Sequence, residues 1–207
     1  MAGQTDPLLA HIRSRFAEAA NERDRAAIRR FFREQVDPYG VPAALVHELT
    51  RHALPLLRER TPAARNRFFQ ELWKSGKYEE GMLVIYLARR FTRGCGGCEF
   101  KLWERWLDRY VTNWAHCDGI SMHLLGTAIA HEPELAAQLE GWTRSPNLWK
   151  RRSAAASLVR EARKGKHAAL VGRILKALER DEADLIKKAV VWLKRERERG
   201  RGTQERG

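Results

Sequence analysis

The chain has 207 residues, of which 43% are hydrophobic, enough for a packed core and against global disorder. Its formal net charge of +13 points to a polyanionic partner, nucleic acid before an anionic membrane surface. No apolar run approaches the ~20 residues that span a bilayer, no secretory signal opens the chain, and three cysteines make no disulfide framework, so a cytoplasmic, soluble protein is expected.

The periodicity is helical almost throughout. Leu8, Ile12, Phe16 and Ala19 recur at three- and four-residue steps after a capping Asp6, giving a first helix from Pro7 to Ala20. A second covers about Arg23 to Glu34, with Ile28, Phe31 and Phe32 as its apolar part. Two prolines and a glycine then break the pattern at 36–42. A third helix covers about Pro42 to Arg58, and a fourth restarts at Thr61-Pro62 with proline at its first position. Glu71-Leu-Trp73, Glu104-Arg-Trp106 and Glu140-Gly-Trp142 repeat an acid–x–Trp pattern, with the tryptophans 33 and 36 residues apart. That period suits stacked helix pairs of the solenoid class. Further helices follow Asn147, run from about His167 to Arg180 after the Lys164-Gly-Lys166 turn, and begin near Asp181. No stretch alternates with the period of a strand. The expected architecture is an all-α, HEAT-like helical-repeat solenoid over residues 1–198 with a concave basic face, then a disordered tail over 199–207.

The charge is concentrated late. From Arg144 onward there are 19 Lys/Arg against 8 Asp/Glu, whereas residues 1–143 hold 20 against 18. Within this basic chain, Trp114-Ala-His-Cys-Asp118 sets a carboxylate one helical turn after a tryptophan, on one face. An aromatic ring beside an anion attracts a cation. Cys95-Gly-Gly-Cys98 raises a metal reading, with His116, Cys117 and His123 as possible further ligands, but one Cys-x-x-Cys is a weak signal and no metal site is assigned.

Four stretches together resemble the AlkD-type DNA alkylation repair enzymes, DNA glycosylases built from HEAT-like repeats. Trp114-Ala-His-Cys-Asp118 is similar to the family's Trp-Asp-x-x-Asp segment. Trp142 through Asn147-Leu-Trp149-Lys-Arg-Arg152 is similar to its W-x-x-S-x-N-x-W-x-x-R element. Ile186 through Trp192-Leu-Lys-Arg-Glu196 is similar to its K-A-x-x-W-x-L-R-E element, and Glu71-Leu-Trp73 with Tyr78-Glu79 to one of its helix pairs. Departures are Ala115 in place of a carboxylate, the Cys-Gly-Gly-Cys segment, and a chain that stops soon after Glu196, where family members often add a helix pair.

The resemblance implies a monomeric enzyme acting on double-stranded DNA without a cofactor. It would excise cationic N3- or N7-alkylated purines. Asp118 would be the catalytic carboxylate, and Trp114 and Trp192 would flank the lesion. Arg152 would contact backbone phosphate, with Arg151, Lys150, Lys188 and Phe31 on the DNA side; Phe31 stands where characterised members carry Tyr. The alternative is a non-catalytic, DNA-binding relative, and a scaffold for an acidic protein partner is a third reading.

Overall fold

The computed structural model describes residues 6–92 and 96–204, and they are helical with no strand among them; one isolated parallel bridge joins Asp37 to Lys77. The all-α expectation holds. The chain divides into two compact units, 1–90 and 91–207.

The first unit contains α1 (Pro7–Ala19), α2 (Glu22–Phe31), α3 (Ala43–Arg58), α4 (Pro62–Lys74) and α5 (Tyr78–Ala88). Asp6 caps α1 by accepting from the Leu8 N–H at 3.0 Å, and Pro7 sits at the first position, where its missing N–H would have no intrahelical partner. The stripe Leu8, Leu9, Ile12 and Phe16 is buried, as is Leu45, Val46, Leu49, Ala53 and Leu57 on α3. α5 is apolar on most sides (Leu83, Val84, Ile85, Leu87) and packs against α3 and α4 as the unit's centre.

α2 ends at Phe31, three residues before the expected Glu34. Phe32 turns extended, with φ −95° and ψ 142°, and its buried ring meets Tyr78 edge-on at 5.3 Å, so burial of Phe32 ends the helix. The following loop is pinned by the first turn of α5. There the buried Glu79 accepts from the backbone N–H groups of Tyr39 (2.8 Å), Gly40 (3.0 Å) and Val41 (3.3 Å). Its neighbour Glu80 accepts from the Tyr39 hydroxyl at 2.7 Å and pairs with Arg13 of α1 at 3.1 Å. Acidic groups are favoured at a helix N-terminus, so one turn of α5 orders both the loop and α1. Gly40 has φ +79°, and a Cβ there would lie 2.5 Å from Arg25 N and Asn21 O. Left-handed strain and backbone overlap then add, so Gly40→Ala is expected to destabilise the protein by about 2–4 kcal/mol in urea unfolding. A change within about 0.5 kcal/mol would show that this loop does not require the glycine.

The second unit contains α6 (Gly97–Arg109), α7 (Trp114–Ile120), α8 (Gly126–His131), α9 (Gln138–Trp142), α10 (Leu148–Ala156), α11 (Val159–Arg163), α12 (Ala168–Leu178) and α13 (Asp184–Gln204). A π-helical turn, Ser121–Leu125, joins α7 to α8. α13 packs against α10, α11 and α12 and forms the unit's spine. It runs to Gln204, beyond Glu198, where the sequence suggested a disordered tail. The reason lies at Gly200: a Cβ there would come within 2.3 Å of the Ala162 carbonyl oxygen, so the bare glycine lets α13 lie against the end of α11. The buried Glu196 adds a 2.9 Å pair with Arg199. Trp73, Trp106 and Trp142, the repeat positions, are all buried near the ends of α4, α6 and α9.

Candidate active site

α7 carries the Trp114-to-Asp118 segment that the sequence singled out. Asn113 has extended backbone, and its side-chain oxygen accepts from the His116 N–H at 2.9 Å; its amide meets His116 Nδ1 at 3.0 Å. This cap makes Trp114 the first residue of α7 and sets Asp118 one turn later on the same face. Trp114 and Asp118 are both half-buried.

Asp118 is gripped from the neighbouring helix. Arg152 of α10 donates from Nε to Oδ1 and from Nη2 to Oδ2, each at 2.8 Å. Its remaining terminal nitrogen donates to the Leu185 carbonyl in the first turn of α13. One guanidinium thus ties α7, α10 and α13 together. The pair is largely dry, with side-chain exposures of 16% for Asp118 and 7% for Arg152. Burial pushes the Asp118 carboxyl above its ordinary value, while the hydrogen bonds and charge of Arg152 oppose that rise.

A second layer holds the register between these helices. Ser121 Oγ donates to the Cys117 carbonyl, and the Ser121 and Ser153 hydroxyls meet, both at 2.7 Å and all buried. The Cys117 thiol donates to the Trp149 carbonyl at 3.4 Å, and burial raises its pKa well above the thiol range, so it is an inert packing group. After the π-helical turn, a Cβ on Gly126 would lie 2.8 Å from the Ser157 carbonyl oxygen, a second close helix contact. Ser121, Ser153 and the Leu185 carbonyl were missed by the sequence reading. The available signal was the run of small residues Ser153-Ala-Ala-Ala156, which lets a helix approach closely.

The other expected site residues separate into groups. Trp192 is half-exposed on α13, seven residues after Leu185 and therefore on the same face, roughly 10 Å along the helix. Lys188, one turn before it, is exposed. Lys150 and Arg151 are turned inward. Lys150 pairs with Glu104 at 2.7 Å and sits 5.3 Å over the Trp142 ring, and Arg151 pairs with Asp181 at 2.7 Å and donates to the Ser145 carbonyl at 2.9 Å. Arg152, expected at a phosphate, is occupied by Asp118. Phe31 lies in the first unit, 69% exposed, with its ring edge-on to Phe32 at 5.4 Å. Cys98 is exposed, Cys95 lies outside the described residues, and no group of three potential metal ligands gathers among the described residues.

The profile of a family described as "DNA alkylation repair enzyme" matches residues 12–199. The chain belongs to that family. Its fold is also similar to a solved structure titled "Predicted DNA alkylation repair enzyme from Enterococcus faecalis". That likeness has a TM-score of 0.78 at 17% identity and covers 88% of this chain and 85% of the other. A search of curated proteins found no match. No helix of the described residues is long and apolar enough to cross a membrane.

Proposed function

We propose that this chain is a DNA glycosylase that releases cationic N3- or N7-alkylated purines from double-stranded DNA by hydrolysis, as a monomer. The observation that carries the reading is the Asp118–Arg152 pair: a half-buried carboxylate, fixed by two 2.8 Å bonds, on the face that Trp114 opens.

The chemistry follows from the lesion. A purine alkylated at N3 or N7 already bears a positive charge, so it departs with the bonding electron pair as a neutral base and needs no general acid. Charge then develops on the sugar, which becomes oxocarbenium-like. A carboxylate held in place beforehand stabilises that charge without reorganising. The same carboxylate orients the water whose oxygen forms the new bond to the sugar C1′ while the bond to the base nitrogen breaks; the water's proton passes to the carboxylate or to solvent. Trp114 and Trp192 are the aromatic faces for the cationic base, worth roughly 0.5–2 kcal/mol each. Unmodified bases lack that attraction. Arg152 is a positioning residue: it fixes the carboxylate and anchors it to α13. Lys188, exposed beside Trp192, is the phosphate contact from this part of α13; Lys150 and Arg151 serve the fold.

Incubation with duplex DNA carrying 7-methylguanine tests this directly, with release of the free base and formation of an abasic site as the expected result. Tight binding without release would favour the non-catalytic relative, which Ala115 recommends. The pH dependence supplies a second expected outcome. Asp118 acts only when ionised, and burial raises its pKa above the ordinary 3.8. Single-turnover release therefore falls as pH drops through a value above 3.8, earlier than for an exposed aspartate. A rate that is flat down to that value would contradict a role for ionised Asp118.

A further inference from the structure

A second feature lies in the first unit, between α3 and α5. α3 presents His47, Thr50 and Arg51 at i, i+3 and i+4, and Tyr86 of α5 is followed at the same spacing by Arg89 and Arg90 in the 3-10 turn, Arg89–Phe91, just past its end. The two rows line a cavity of about 190 Å³. That is below the roughly 300–1,000 Å³ of pockets that enclose drug-sized molecules, so the ligand it suits is a small group. No carboxylate is among the described residues that line it. Glu48, beside His47 in sequence, pairs with Arg15 at 3.0 Å instead.

The lining groups are ordered by their rings. The His47 and Tyr86 rings stack at 4.8 Å with planes 18° apart, and the Arg89 guanidinium lies 5.1 Å from the Tyr86 ring centre. Arg51 and Arg90 form no ion pair among the described residues, and the Tyr86 hydroxyl has no hydrogen-bond partner there. Arginines at the end of α5 suit that helix's dipole, but the dipole gives no reason for Arg51, in the middle of α3, to face them. Three guanidiniums, an imidazole and the Tyr86 hydroxyl around a small acid-free cavity are the donor set for a tetrahedral oxyanion; the Thr50 hydroxyl donates to the Val46 carbonyl at 2.8 Å.

The geometry points to a phosphate-binding site between α3 and α5, formed by His47, Thr50, Arg51, Tyr86, Arg89 and Arg90. Its occupant is a phosphate group, either of the DNA backbone or free. The inference rests on the repair reading only for DNA as one source.

The test uses the full chain and undamaged DNA, so it is independent of base release. Binding to a short undamaged duplex is titrated over salt for the wild type and for Arg51→Gln/Arg90→Gln. Arg23→Gln/Arg105→Gln, two exposed arginines outside the cavity, removes the same charge as a control. In parallel, the His47 imidazole signal is followed by NMR as inorganic phosphate is added. If a backbone phosphate sits in the cavity, the cavity pair flattens the slope of log K against log salt by about 0.9, the value for one phosphate no longer neutralised, and the control pair does not. If the source is free phosphate, His47 shifts saturably in the wild type, not in the cavity variant, and the DNA slopes stay alike. No phosphate response at His47, together with a slope that the cavity pair leaves unchanged or changes only as much as the control, would overturn the site. Thermal unfolding confirms that each variant is folded; should the double variant not fold, Arg90→Gln alone is read in the same way, against Arg23→Gln alone.

Discussion

Asp118→Asn is expected to lower single-turnover release of 7-methylguanine by roughly 10²–10³-fold, the usual cost of removing one preorganised electrostatic group from a transition state. Asparagine is nearly the same size and keeps an oxygen for one of the two Arg152 donors. What it lacks is the charge that meets the developing cation on the sugar. The variant also leaves Arg152 buried without its anion, so unfolding must be measured alongside and the assay run well below the transition. Binding of undamaged duplex is expected to change little, which separates loss of chemistry from loss of DNA affinity. A variant that stays folded and releases base within a few-fold of wild type would remove Asp118 from the mechanism.

Arg152→Met has the largest expected effect on the fold of the site. Breaking a buried ion pair from one side typically costs 3–5 kcal/mol, because the remaining charge is left without a partner. Here Asp118 keeps 16% of its side-chain surface, so water takes part of the load, and about 3 kcal/mol in urea unfolding is expected. The Leu185 carbonyl also loses its donor, which loosens the start of α13. The effect on pH is signed. Burial raises the Asp118 pKa and Arg152 lowers it; without Arg152 only the raising cause remains. The acid limb of any residual activity therefore moves to higher pH. Combining Asp118→Asn with Arg152→Met should cost less than the sum of the two, since the double variant leaves neither charge buried alone. Strict additivity, or an acid limb that stays in place, would show that the pair is not coupled.

The helical architecture could be read from the chain because it follows from local rules. Asp6 before Pro7, Thr61 before Pro62, and apolar residues at three- and four-residue spacing each act within a few residues. Trp114 and Asp118 were legible for the same reason: i and i+4 share a face. What remained hidden depends on distant partners. Whether Lys150 and Arg151 face solvent or the core is decided by Glu104 and Asp181, dozens of residues away. Whether Arg152 meets a phosphate or a carboxylate is decided by how closely α10 approaches α7, which Ser121, Ser153 and Gly126 set. α2 stops early because Phe32 finds Tyr78, not because of any residue inside the helix. α13 runs on past its expected end because Gly200, which reads as a helix breaker, serves as a contact surface.

The most direct measurement is single-turnover release of 7-methylguanine from duplex DNA by the wild-type protein, followed beside Asp118→Asn and an unmodified duplex. The account predicts free 7-methylguanine and an abasic site with the wild type, at least a hundredfold less with Asp118→Asn, and no guanine from the unmodified duplex. DNA binding by a folded wild-type protein with no base released, or release that Asp118→Asn leaves unchanged, would contradict it.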